Sequence, residues 1–251
     1  MMSRLSEKTQ GLDLPPGYDL VTLRELGDAF THGVSIAADA GAGTLIWTRR
    51  YDLVEFAVVL EPEEPLKTAR RALFTCMNAL ADAIASHCPP EREVTFGFPD
   101  MLYFDRGLLG GGRFAWPQDC AEDQVPDWLV FGAMLRAADL VHMDSGETPD
   151  GASLLTEGFE MVETDAIVES FARHLLTGFD QWQEYGFDPV ARAYLERVPT
   201  AKAGELKKID GNGDLLIKLP AERGPPQRTP LIDALARTEW YDARHRGPKF
   251  R

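Results

Sequence analysis

Apolar Val94, Phe96 and Phe98 alternate with Thr95 and Gly97, the period-two pattern of a half-buried strand. A second arm, Leu102 to Phe104, runs into a polar Asp105-Arg106-Gly107 turn, so this segment predicts a hairpin. The period then changes. After Pro65, Leu73, Met77, Leu80 and Ile84 recur at three- and four-residue intervals until Pro89-Pro90, which predicts a helix over 65–85. Leu23, Leu26, Phe30, Val34 and Ile36 predict another over 22–38, broken at Gly33. A helix over 162–176 is led by Thr164-Asp165 and carries Ile167, Val168, Phe171 and Leu175 on one face. Gly178 marks a pause, after which Phe179, Trp182, Tyr185 and Phe187 continue as an aromatic core stripe. Strands are expected around 45, 57, 95, 102, 113 and 130, with the first two helices covering one face of their sheet.

After Pro199 the texture changes. Lys207 to Leu219 reads as a hairpin around Asp210-Gly211-Asn212-Gly213. Asp210, Asn212 and Asp214 are spaced as in a calcium loop, but Leu215 stands where glycine is needed and Ala221 where a bidentate glutamate is needed, which excludes it. The tail from Arg223 is rich in Pro, Arg and Gly, with a short helix expected near Leu231 to Arg237.

Gly110, Gly111 and Gly112 remove every Cβ from one stretch, so that a second backbone or a flat ligand can approach closely; a bulge or tight bend is the plainer alternative. The formal charge of -14 and pI near 4.8 oppose nucleic-acid binding, which needs clustered Lys and Arg. No run of eighteen apolar residues occurs and the first residues lack a signal-peptide core, so a soluble, cytoplasmic protein without membrane contact is expected. Cys76, Cys88 and Cys120 form no Cys-x-x-Cys pair, and the five histidines are scattered, so no metal site is expected. Gly-x-Ser-x-Gly, Walker and His-Glu-x-x-His motifs are absent.

Phe98-Pro99-Asp100 followed by Asp105 to Gly110 resembles the hairpin of the biotin and lipoate protein ligase superfamily, in which a Lys-Trp-Pro-Asn-Asp strand precedes an Asp-Gly-Lys-Leu-Ala-Gly type turn. Gly41-Ala42-Gly43-Thr44-Leu45-Ile46-Trp47 sits where those ligases carry a Gly-Arg-Gly-Arg loop ending in Trp, and Leu53 to Leu60 resembles the strand that follows. Asp127 to Gly132 and the helix from Phe171 to Tyr185 resemble later family elements, so the likeness spans about Leu14 to Val198. It implies an α+β fold: a mixed, largely antiparallel sheet flanked by helices, of the class II synthetase and biotin/lipoate ligase type, over 12–198. A small C-terminal SH3-like β domain would occupy 199–251.

Three departures matter. Gly107 and Gly97 fall where the family has lysines, and Ala42 and Thr44 replace the loop arginines. Each loss removes a donor that in a preorganised site contributes roughly 3 kcal/mol or more. The resemblance implies a diverged acyl-protein ligase or acyltransferase for biotin, lipoate or a related small carboxylic acid, with ATP and magnesium possible if an acyl-adenylate forms, and a biotinyl or lipoyl carrier protein as acceptor. Arg113 is then the relocated catalytic cation, with Trp47 and Phe98 lining the acyl chain and Gly41, Gly43 and Gly110 to Gly112 admitting the ligand. Related transferases hold the acyl group on a cysteine. Cys120 is the candidate, although Asp119, Glu122 and Asp123 around it oppose thiolate formation. The other reading is a module of the same fold that binds ligand or docks a carrier without catalysis.

Overall fold

Two runs, Leu53–Leu60 and Leu129–Arg136, are buried along almost their whole length, which requires paired strands covered on both faces. The computed structural model describes residues 11–88, 92–138, 151–159, 164–220 and 223–249. The chain passes through β1 (Asp19–Leu23), α1 (Ala29–Ile36), β2 (Thr44–Thr48), β3 (Leu53–Leu60), α2 (Leu66–Ala69), α3 (Ala72–Ala85), β4 (Val94–Gly97), β5 (Met101–Phe104), β6 (Gly107–Ala115), β7 (Leu129–Arg136), α4 (Thr164–Tyr185) and α5 (Phe187–Glu196). One seven-stranded sheet has the order β1-β2-β3-β7-β6-β5-β4. Its pairs are antiparallel except β1 with β2. It is the expected mixed, largely antiparallel sheet flanked by helices.

Strand alternation divides the core. Leu45, Phe56, Val58 and Phe131 face α3, α4 and α5 on the back, with the Phe171 ring of α4 at 4.5 Å from that of Phe56. Ile46, Ala57, Val59 and Val130 face α1 on the front. The first two helices therefore cover opposite faces, not one. The expected helix over 22–38 is also shorter. Leu23 ends β1, and Asp28 caps α1 by accepting from the Thr31 N–H at 2.8 Å. The spacing of Leu23, Leu26 and Phe30 also suits a helix, which hides this edge strand in the sequence. The helix over 65–85 breaks into α2 and α3 at Arg70-Arg71. No pause occurs at Gly178: α4 runs through it, and a Cβ there would lie 2.8 Å from Thr75 of α3, so the glycine lets the helices approach. The aromatic stripe is not all core, since Tyr185 is exposed and Phe179 and Trp182 are half-buried. Phe98 lies just past the end of β4. The β5–β6 turn is two residues, Asp105 and Arg106, both with positive φ (45° and 76°), as tight hairpins require.

Beyond α5, β8 (Leu206–Ile209), β9 (Leu215–Lys218) and β10 (Gln227–Thr229) form a three-stranded sheet. Helix α6 (Leu231–Leu235) and the short pair β11 (Tyr241–Asp242) and β12 (Gly247–Pro248) follow. The acids that resembled a calcium loop serve the hairpin: Asp210 accepts from the N–H groups of Asn212 and Asp214, and Asp214 binds Arg228 and the Leu231 N–H. Ile209, Leu215 and Leu231 join the back core. Trp240, fully buried, joins Leu53, Leu108 and Met134 on the front. No helix among the described residues is long and apolar enough to cross a membrane.

Trp240 explains Gly111, the middle of the glycine run, and at Gly110 the expected bulge occurs, with Leu109 the extra residue against Leu102 and Tyr103. A Cβ on Gly111 would lie 2.7 Å from the indole and 2.3 Å from the Asp100 carbonyl oxygen, so the flat group that approaches this backbone is the chain's own side chain. Burial pushes the Asp100 carboxyl up to about 7, Glu239 adds to the shift, and the indole opposes it. Two outcomes are expected. Gly111→Ala lowers unfolding stability by about 3 kcal/mol, whereas Gly211→Ala, with open space around its Cα, changes it by under about 0.5 kcal/mol; urea titration measures both. Because the unfolded chain releases the Asp100 proton near 3.8 and the folded chain holds it to about 7, stability declines as pH rises through that window. Asp100→Asn removes this part of the decline, up to about 4 kcal/mol, in urea midpoints recorded from pH 4 to pH 8.

Candidate active site

Since β1 and β2 are parallel, the loops that leave them emerge at the same edge of the sheet. The Arg49 N–H continues the pairing one step by donating to the Leu23 carbonyl at 3.2 Å. The diverging loops bound a cleft of about 750 Å³ that includes Trp47, Arg24, Arg49, Arg50 and Thr164, the first residue of α4. Trp47 packs its body into the back core and offers the cleft an edge. The Arg49 guanidinium sits 5.8 Å from the indole centroid, a cation–π distance. Among the described residues neither Arg24 nor Arg49 forms an ion pair. Arg50 differs: it binds the Asp52 carboxylate through Nε at 3.0 Å and Nη2 at 2.6 Å. That hydrogen bond raises its pKa further above the usual arginine range. Glu25 and Asp165 line the same cleft, so its charges are mixed, and Arg49 beside the indole is the cation placed to meet an anion against an apolar wall.

Arg50 links the cleft to a buried polar cluster on the front face. Its Nη1 lies 3.6 Å from Oε2 of Glu55, a side chain only 3% exposed. Glu55 Oε1 accepts the Ala29 N–H at 2.9 Å, at the start of α1. Among the described residues, Glu55 Oε2 and the hydroxyl of its cross-strand neighbour Thr48 make no hydrogen bond. Burial raises the Glu55 pKa, against the Ala29 N–H and Arg50, which lower it.

The sequence-selected residues are dispersed by this geometry. Arg113 pairs across the sheet with Gly132, on the front face. Its guanidinium is 3.5 Å from Asp28 and stacks between the rings of Phe30 and Tyr241, at 4.1 and 4.9 Å. Trp47 and Phe98 belong to the back core, so the sheet stands between them and Arg113. Gly41 and Gly43 precede β2 while Trp47 nears its end, which puts them at opposite edges of the sheet. Gly43 takes φ +82°, and a Cβ there would lie 2.2 Å from the Gly17 carbonyl oxygen. Phe98 stacks with Phe74 and meets the Tyr194 edge. Gly110 approaches the Met134 carbonyl, Gly111 meets Trp240 and Gly112 lies against Phe131 and Met77.

Cys120 lies in the β6–β7 loop with its Sγ near the carbonyls of Ala121 and Gln124. Desolvation, then Asp119, Asp127 and Glu122, raise its pKa; Arg70 alone among the named groups lowers it. Arg70 is engaged by both carboxylate oxygens of Glu122, so this thiol lacks the electropositive setting of a nucleophile. Among the described residues no three His, Cys, Asp or Glu side chains converge as a metal site. Sequence reasoning missed Arg24, Asp28, Glu55 and Tyr241. Gly27-Asp28 before apolar Ala29-Phe30 was the available signal, a helix start that frees Arg24 for a loop.

No curated protein matches the chain. Among solved structures, a biotin protein ligase-like protein of unknown function from Silicibacter sp. TM1040 is 26% identical, covers 89% of this chain and 99% of its own, and superposes with a TM-score of 0.75. Biotin protein ligase from Aquifex aeolicus is 13% identical over 84% of this chain and 94% of its own, with a TM-score of 0.61. The Leishmania major enzyme, in complex with biotinyl-5-AMP, is 13% identical over 85% and 99%, with a TM-score of 0.55. At 13% identity these last two speak for the fold alone. The sequence model of one family matches residues 14–196, which include the whole seven-stranded sheet and its helices, and the chain therefore belongs to the biotin/lipoate A/B protein ligase family.

Proposed function

We propose that this protein is a diverged acyl-protein ligase or acyltransferase that receives a small carboxylic acid of the biotin or lipoate class in the cleft at the ends of β1 and β2. The observation that carries the reading is the Arg49 guanidinium over the Trp47 indole, with Arg24 lining the same cleft and neither arginine in an ion pair among the described residues, although Glu25 and Asp165 line it too. An apolar acyl chain would lie on the indole and its carboxylate would meet the arginines, whose planar forks suit a carboxylate. ATP would serve as co-substrate for an acyl-adenylate, with magnesium arriving on the nucleotide, and a biotinyl or lipoyl carrier protein would accept the acyl group. Arg113 would act by holding Asp28, and with it the loop that carries Arg24, since the Asp28 ion pair and two rings already occupy its guanidinium.

One observation favours the second reading, a binding or carrier-docking module without catalysis. At Gly107, where the family turn has lysine, a Cβ would lie 2.8 Å from the Ala152 Cβ and 3.2 Å from its nitrogen. The segment from Gly151 bridges to Leu108, and the Ala152 N–H donates to the Leu108 carbonyl at 3.1 Å. The space a lysine stem would need is taken up by backbone, so the catalytic cation cannot be restored there by substitution alone.

Calorimetric titration with biotin, lipoate and octanoate, followed by acid-dependent exchange of labelled pyrophosphate into ATP, separates the readings. One acid is expected to bind, with Arg24→Ala and Arg49→Ala each weakening it about tenfold, the loss of one charge-assisted hydrogen bond. Exchange with that acid supports the ligase, and binding without exchange supports the module. Failure of all three acids to bind the folded protein sinks both assignments of the cleft.

A further inference from the structure

A second cavity, of about 680 Å³, opens on the back face at the other edge of the sheet from the arginine cleft. Val58, Leu60 and Leu129 supply its floor, and Leu175, Phe179 and Trp182 of α4 form a wall. The aromatic stripe contributes here: Phe179 and Trp182 are half-buried and both line the cavity. A cavity of this size, lined mainly by apolar side chains, suits a small organic ligand.

The sign of charge at its mouth decides which kind. Glu61, Glu63 and Glu64 line the rim, and no Lys, Arg or His lines the cavity. Arg71, which stacks on the Trp182 ring at 5.5 Å, is neutralised by Glu64 at 2.6 Å. Glu61 accepts the Ala42 N–H at 3.2 Å, in the loop that also lines the cavity, and Glu63 forms no ion pair among the described residues. Gln183 and Gly186, at the junction of α4 and α5, border the cavity and bring no charge to it. Acids on the rim repel a carboxylate and attract a cation.

We infer that this cavity is a binding site for an organic amine, a protonated primary amine on an apolar or aromatic body, distinct from the carboxylate cleft. The apolar body lies against Phe179 and Trp182, and the ammonium sits at the rim between Glu61, Glu63 and the end of α4.

The test uses three ligands of matched shape, phenylpropylamine, phenylpropanol and phenylpropionate, titrated calorimetrically into the full chain carrying Arg24→Ala and Arg49→Ala, which silences carboxylate binding at the other cleft. At low salt the amine is expected to bind one to one, at least tenfold tighter than the alcohol, with the carboxylate weakest. Glu61→Gln with Glu63→Gln, both exposed positions, weakens the amine five- to tenfold and leaves the alcohol unchanged, and added salt reproduces part of that loss. Phe179→Ala weakens amine and alcohol together. Equal affinity for all three ligands, tighter binding of the carboxylate, or absence of amine binding overturns the inference. Amine binding that ignores Phe179→Ala overturns it as well, because that is adsorption to the acidic surface. The silenced arginines separate this outcome from the fate of the carboxylate reading.

Discussion

The structure depends on burying β3 and β7 on both faces. Their side chains alternate between a back core of aromatic rings and a front core of smaller residues, and each fully buried large side chain contributes roughly 1.5–3 kcal/mol. The two charged exceptions are as informative as the rule. Glu55 and Arg136 lie on the front of these strands, 3% and 4% exposed, where a charge without partners would be strongly destabilising. Glu55 finds the first N–H of α1 and Arg50. Arg136 donates to the carbonyls of Ala152, Pro248 and Lys249. The need to satisfy two buried charges thus ties α1 and the C-terminal strand to the front of the sheet.

Packing on the two faces of the sheet accounts for Gly111 and Gly112. Gly111 faces Trp240 and Gly112 faces Phe131 on the other side, so the missing side chains are filled by packing on both faces. The front layer clamps Arg113 between Phe30 and Tyr241. A residue that reads as a free cation in the sequence is already paired in the fold. Arg24 and Arg49, which form no ion pair among the described residues, lie instead on loops at the sheet edge, beside Glu25 and the first turn of α4.

The two cavities mark opposite ends of β2, one beside Trp47 and the other beside Gly43. The first is lined by Arg24, Arg49 and Arg50 together with Glu25 and Asp165, whereas the charged residues that line the second are all glutamates. In a strongly acidic protein the first gathers positive charge among acids and the second follows the bulk field.

What the sequence determined by itself was local. The alternation at Val94–Phe96, the spacing of Leu73, Met77, Leu80 and Ile84, and the Asp105-Arg106 turn each encode an element through contacts a few residues apart. Resemblance over several ordered segments was enough for the fold and family. β1 was hidden because an edge strand with exposed Thr22 has a weak alternation, and the spacing beyond it suits a helix. Which face each helix covers, the approach of Trp240 to Gly111 across some 130 positions of chain, and the pairing of Arg113 with Asp28 were decided only by tertiary structure. Those contacts join residues far apart in sequence, and the parity of a strand position assigns a side chain to one of two faces without saying what will pack there.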